Sequence, residues 1–282
     1  MIRRFKKRPA ELVKNVNTSL PVVFWSLAGI VTLFSLVISS PVYAQKNYMC
    51  VEEHGYNYAI IDPVPKFENG ARCQVSMKHN MLTNEKIGWY VAYTQLILWE
   101  ISKSSPFKEI TFNPETFMEL KSKYNYIDDK DFGMFDFFRL GVTHKSNGKQ
   151  DEENRSWNYI YAETQMSTGG KFDLGLDLRG MTYIFGDKDN QDISNYMGYF
   201  QTEIFLQLAT DNPLFIDREK IYIKGGGNPY YGKGWIEYGL MFRFLTNQIH
   251  LGFFIQGYYG YGQSQRNYKE KENMIRVGLI LR

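Results

Sequence analysis

The chain has 282 residues, 44% hydrophobic and 16% aromatic, with a formal net charge of +3 and two cysteines. Its mean hydropathy of −0.39 excludes a multi-helix membrane protein. Six basic residues (Arg3, Arg4, Lys6, Lys7, Arg8 and Lys14) precede residue 45 against one acid, Glu11, so the rest is slightly acidic and gives no support to nucleic-acid binding.

Residues 1–44 read as an export signal: a basic stretch, an apolar run from Leu20 to Ile38, then Val42-Tyr43-Ala44 as a leader-peptidase site before Gln45. An apolar run of about 19 residues also leaves an uncleaved anchor as the alternative. Cleavage makes 45–282 the mature domain, with 45–55 as a periplasmic N-terminal segment. An oxidising periplasm makes a Cys50–Cys73 disulfide the expectation.

The mature part contains no run of about 20 apolar residues. It contains segments of roughly ten residues with period-two alternation, separated by turns rich in Gly, Asn, Asp and Lys. Weak strands are predicted near Tyr56–Ile61 and Arg72–Leu82, and ten clearer ones from Lys86 onward. Within Ser194–Leu208, Phe200, Thr202, Ile204, Leu206 and Leu208 share a face. In Trp235–Phe244, Ile236, Tyr238, Leu240 and Phe242 do, and in Ile249–Tyr261, Phe253, Ile255 and Tyr259.

In lipid only a closed sheet satisfies every backbone group without helices. Alternation alone also fits a soluble β-sandwich. The export signal, the aromatic load and the strand lengths favour an all-β fold of another kind: a 12-stranded antiparallel transmembrane β-barrel of the outer membrane, with aromatics as an interfacial girdle. Strand parity sends loops near 63–70, 101–107, 145–155, 186–194, 225–233 and 262–271 to one end, read as extracellular. The shorter set, near 83–85, 122–132, 168–171, 209–217 and 245–248, goes to the other.

The hairpin Gly133–Met166 carries the candidate chemistry. His144 and Ser146 continue the apolar row of Phe138, Leu140 and Val142, and Asn158 that of Ile160 and Ala162. Residues i and i+2 of a strand point the same way, so His144 can reach the Ser146 hydroxyl. Asn158, from the antiparallel partner, can accept the other ring N–H, and Gly148 can turn a backbone N–H toward an oxyanion. The alternative at this level is a solvated rim, the reading given to His54, His79 and His250. Ser146-x-x-Lys149 lacks its companion motifs, Asp187-x-Asp189-x-Gln191 reads as a solvated turn, and Gly225-Gly226-Gly227 has no following helix to make a phosphate cradle.

His-x-Ser-Asn-Gly at 144–148 followed by Arg-Ser-Trp-Asn at 155–158 resembles the signature of bacterial outer-membrane phospholipase A. The resemblance extends to Tyr93-Thr94-Gln95, Ser104-Ser105-Pro106-Phe107 with Glu109, Tyr196-Met197-Gly198-Tyr199 and Arg276-Val277-Gly278. It implies hydrolysis of sn-1 and sn-2 acyl esters of phospholipids and lysophospholipids, with Ser146 as nucleophile, His144 as base, Asn158 as orienting residue and Gly148 as oxyanion donor. It further implies a calcium-dependent homodimer in the membrane, active on the extracellular-leaflet side. Calcium would be held by the Ser104 hydroxyl of one subunit and main-chain oxygens of Lys149 and Asn154 of the other, with Gln95 in the interface. The family usually has Arg where Lys149 stands and Ser where Asn154 stands, and this chain has Arg282 where outer-membrane barrels typically end on an aromatic. A non-catalytic barrel, a porin or an adhesin, is the alternative function.

Overall fold

Strands that alternate apolar and polar side chains can bury one row and give the other to lipid, provided no sheet edge is left open. The computed structural model describes residues 51–63, 70–84, 86–100, 107–121, 135–184, 190–209, 218–243 and 251–281, all within the unit Asn47–Arg282. The expected leader, Cys50, Ser104, Asp187, Asp189 and His250 lie outside the described residues.

Thirteen strands run through the described residues. The first five are β1 (Val51–Glu53), β2 (Asn57–Ile61), β3 (Gly70–Thr83), β4 (Ile87–Glu100) and β5 (Glu109–Lys121). Next come β6 (Phe137–Ser146), β7 (Ser156–Ser167), β8 (Phe172–Ile184) and β9 (Phe200–Ala209). The last four are β10 (Arg218–Asn228), β11 (Lys233–Arg243), β12 (Leu251–Tyr261) and β13 (Lys271–Leu281). A short helix, α1 (Ile193–Met197), precedes β9.

Each of β2 to β13 is antiparallel to its neighbours in chain order, and β13 zips onto β2 with Val277 opposite Ile61 and Leu281 opposite Asn57. β9 runs beside β10, so the twelve strands form the expected closed barrel. β1 adds a short extra pairing on β3, Val51 opposite His79. Of the expected disulfide pair, Cys73 is described and is a free cysteine.

The outward rows are apolar, as the alternation predicts: Leu140, Val142, Ile160, Ile204, Ile236, Phe253 and Ile255 are all exposed. A band of this kind on a closed barrel is the lipid-facing surface of a membrane β-barrel. The aromatic residues depart from expectation. Tyr90, Phe117, Trp157, Tyr159, Tyr161, Tyr196 and Tyr268 form one buried cluster inside the barrel, and Tyr58, Phe205, Tyr222 and Phe254 belong to a second. Much of the aromatic excess therefore fills the lumen instead of ringing the membrane. Ion pairs fill the space between: Arg139 with Glu119 at 2.6 Å, Arg179 with Glu163 at 3.0 Å and Lys220 with Glu203 at 2.8 Å.

Two further readings are corrected. His54 is no rim residue: its ring stacks on Phe117 at 5.2 Å and its Nε2 pairs with Glu115, deep among lumen groups. The alternating stretch Ser194–Leu208 is a strand only from Phe200. It breaks at Gly198, whose φ of +70° and whose approach to the Gly227 carbonyl leave no room for a Cβ. Gly227 itself lies in β10, which continues to Asn228 and moves the expected 225–233 turn to Pro229–Gly232.

Candidate active site

The hairpin of β6 and β7 places the sequence-predicted residues in register. His144 stands directly opposite Asn158, and Ser146 opposite Ser156. His144 Nδ1 lies 2.8 Å from Asn158 Oδ1. A carboxamide oxygen only accepts, so Nδ1 carries the proton in this contact and Nε2 is left with a lone pair. Ser146 shares the outward row of Val142 and Leu140. Its hydroxyl makes no hydrogen bond to His144 in this structure, a gap that free hydrolases often close only around substrate. Behind the row Trp157 is buried, with the Lys145 ammonium 5.4 Å over its ring.

On the other side Ser146 pairs with Phe112 of β5, and Phe112 pairs with Gln95 of β4. Gln95, predicted to meet a second subunit, thus shares one outward line with Phe112 and Ser146. Gly148 follows in the hairpin loop with φ +63°, and a Cβ there would come within 2.8 Å of the Phe112 ring.

The loop 147–155 is closed by Asn147. Its backbone N–H donates to the Arg155 carbonyl at 3.0 Å and its Nδ2 to the Glu153 carbonyl at 2.7 Å. Its Oδ1 accepts from the N–H groups of Lys149 and Arg155 at 3.2 and 3.1 Å. Asn190 Nδ2 donates to the Ser156 carbonyl at 2.9 Å, bracing the second strand. Lys149 and Asn154 both lie in this loop. The Asn154 carbonyl accepts from Arg155 Nη1 at 2.6 Å, and so is turned to meet a positive charge. Among the described residues no three His, Cys, Asp or Glu side chains gather as a metal site. A site of hydroxyl and main-chain oxygens would not need them.

The β12–β13 loop leans on this region. Glu109 accepts from Ser264 Oγ and the N–H groups of Gln265 and Arg266, and Arg266 Nη2 reaches Glu153 at 2.5 Å. Lys269 Nζ lies 2.8 Å from Asp192, which also accepts from Tyr268. Burial opposes the Asp192 charge, but Lys269 and the Tyr268 hydroxyl outweigh it and hold the carboxyl below its ordinary value. Burial, with the Asp192 charge beside it, pushes the Tyr268 hydroxyl up. Asn190 and the 262–270 loop are not singled out by spacing, because their contacts exist only once distant segments meet; those of Asn147 depend on how the 147–155 loop closes on itself. The Asn after Ser146 was the one local signal.

The described residues form a closed membrane β-barrel that carries a histidine, a serine and an amide on one outward-facing row. A family model described as phospholipase A1 matches residues 37–281. The putative phospholipase A1 of Neisseria meningitidis serogroup B is 33% identical over 221 residues, 74% of this chain and 53% of that protein. The phospholipase A1 of Escherichia coli strain K12 is 30% identical over 193 residues, 67% of this chain and 61% of that protein. The chain therefore spans less than two thirds of the length of these relatives. In solved structures, outer membrane phospholipase A from Escherichia coli matches with a TM-score of 0.67 at 24% identity, over 82% of this chain and 98% of that one. The Salmonella typhi outer membrane phospholipase dimer with bound calcium matches with a TM-score of 0.68 at 24% identity, over 85% and 94%. The structural likeness establishes the barrel. The family match, over most of the sequence, establishes membership: the chain belongs to the phospholipase A1 family.

Proposed function

We propose that this chain is a calcium-dependent outer-membrane phospholipase that hydrolyses sn-1 and sn-2 acyl esters of phospholipids and lysophospholipids. The observation that supports it most is the 2.8 Å His144–Asn158 contact, two residues from Ser146 on a lipid-facing row. Asn158 holds the imidazole so that Nε2 faces Ser146. As Ser146 Oγ attacks the ester carbonyl, Nε2 takes its proton. The Gly148 N–H meets the oxyanion. Collapse expels the alcohol, which takes the proton from His144, and leaves the acyl group on Ser146. Water, deprotonated by His144, then releases the fatty acid.

Calcium, when bound, supplies Lewis-acid polarisation of the carbonyl. The Lys149 and Asn154 main-chain oxygens would hold it together with the Ser104 hydroxyl of a second copy, with the Asn154 carbonyl released from Arg155 Nη1 to do so. The active form is a homodimer with Gln95 in its interface, since a carboxamide on a lipid-facing row is costly unless a subunit contact covers it. The site faces the extracellular leaflet. Residues 1–44 are a leader removed before Gln45, which sequencing the N-terminus of membrane-extracted protein checks.

The deciding measurement is fatty-acid release from phospholipid micelles, wild type against Ser146→Ala, with calcium or a chelator. Release only by wild type with calcium is expected. Equal rates in all four conditions would leave a non-catalytic barrel. Cross-linking that finds only monomer at full activity would remove the dimer.

A further inference from the structure

We propose that Asn147 is the positioning residue of the oxyanion site: its side chain takes the Lys149 N–H and pins Arg155, whose carbonyl takes the Asn147 N–H, so that the Gly148 N–H alone is left to meet substrate. The inference rests on the reading of Ser146 and Gly148 above and assigns the residue between them a task.

Asn147 is 4% exposed, although Gly148 and Lys149 beside it are exposed. Its own N–H is taken by the Arg155 carbonyl. The next but one, that of Lys149, is taken by the Asn147 side-chain oxygen, an Asx-type turn that suits a φ of +63° at the residue enclosed. The same oxygen also binds the Arg155 N–H, and the side-chain nitrogen binds the Glu153 carbonyl across the loop. One carboxamide thereby uses both ends to fix the two sides of the loop 147–155. The Gly148 N–H, enclosed by these bonds, has no acceptor among the described residues. A donor held rigidly and unspent, two residues from the nucleophile, is what stabilisation of a developing oxyanion requires. Neither serine, threonine nor alanine at 147 could bridge the loop at both ends. Aspartate could accept from Lys149 and Arg155 but could not donate to Glu153.

The test uses the full-length protein in mixed micelles at saturating lipid and calcium. Asn147→Ala is expected to lower kcat by about 100-fold, with KM within about twofold and with the heat-modifiable mobility of a folded barrel retained. Asn147→Asp, keeping the acceptor, is expected to recover at least about tenfold of that loss. A merely structural role would predict neither the kcat–KM split nor the partial rescue. Asn147→Ala within about threefold of wild-type kcat, while Ser146→Ala is inactive, overturns the inference and leaves the catalytic reading standing. Activity retained by Ser146→Ala overturns the catalytic reading and this inference with it. If neither Asn147 variant assembles, Asn147 is a folding residue and the inference also falls.

Discussion

Glu109 and Ser264 meet through a 2.7 Å hydrogen bond although 155 positions separate them in the chain. The same carboxylate takes the Gln265 and Arg266 N–H groups at 2.7 and 2.8 Å, so the first residue of β5 anchors the last loop of the barrel. Glu109 is buried and also accepts from the Thr111 hydroxyl at 3.3 Å, so its removal would leave four donors without this acceptor. Glu109→Ala is expected to cost roughly 3 kcal/mol and to open the 262–270 loop. Limited trypsinolysis at Arg266 and Lys269 should then run at least about tenfold faster than in wild type. Equal cleavage rates would mean that Glu109 does not anchor the loop.

A second relationship lies inside the active-site hairpin. Tyr161 of β7 lays its ring across Gly141 of β6, its cross-strand partner, and a Cβ on Gly141 would come within 2.5 Å of that ring. Gly141→Ala should destabilise the barrel by about 1–3 kcal/mol through overpacking, read from urea unfolding followed by tryptophan fluorescence. In a Tyr161→Ala background the obstacle is gone, so the penalty of Gly141→Ala should fall by more than half. An unchanged penalty would place the strain elsewhere.

These two pairs mark where sequence reasoning ends. Period-two alternation located the strands from Lys86 onward and their outward rows, because lipid tolerates little but apolar side chains and leaves a clean signal at Leu140, Val142 or Ile255. The inward rows carry tyrosines, glutamates and arginines, which pattern alone cannot tell from girdle or rim residues. So His54 and the lumen tyrosines were assigned to water or the membrane interface, whereas a buried carboxylate and facing rings hold them inside. Ser194–Leu208 kept its alternation through α1 because five residues of helix are too few to disturb a period of two. The meeting of His144 with Asn158 is legible because register follows from hairpin geometry, whereas Ser146 as their partner rests on the family resemblance. The tethers of Asn147 and Glu109 are not legible: the first depends on how the loop 147–155 closes on itself, the second on the 262–270 loop reaching β5.

Stability below neutral pH follows from Asp192. Its carboxyl is held below the ordinary value of 3.8 once Lys269 and Tyr268 outweigh burial. In acid the unfolded chain therefore binds this proton before the folded one does. The stabilisation is full above the unfolded value and is lost as pH falls through the folded one. Lys269 and Asp192 are well exposed, so the contribution is about 0.5 kcal/mol. Asp192→Asn should lower the unfolding free energy by that amount near pH 6, and the difference should vanish once the pH has fallen below the folded-state value. A difference that grows in acid would reverse the sign and refute the assignment.

The role of Asn158 can be separated from folding because its side chain belongs to the outward row and takes no part in lumen packing. Asn158→Ala removes the only acceptor seen for His144 Nδ1, so the ring is free to take either tautomer and to rotate away from Ser146. The expected result is a fall in kcat of about 10²-fold or more, within the range for losing a positioned acid–base group, with KM and heat-modifiable mobility unchanged. Asn158→Asp keeps an acceptor oxygen at the same reach and should retain more activity than the alanine variant. Its carboxylate, placed beside lipid, should also slow barrel assembly, because a charge on that row is costlier than an amide. If Asn158→Ala turns over at the wild-type rate, orientation of His144 must come from another group and the Ser146–His144–Asn158 reading is wrong in its third member.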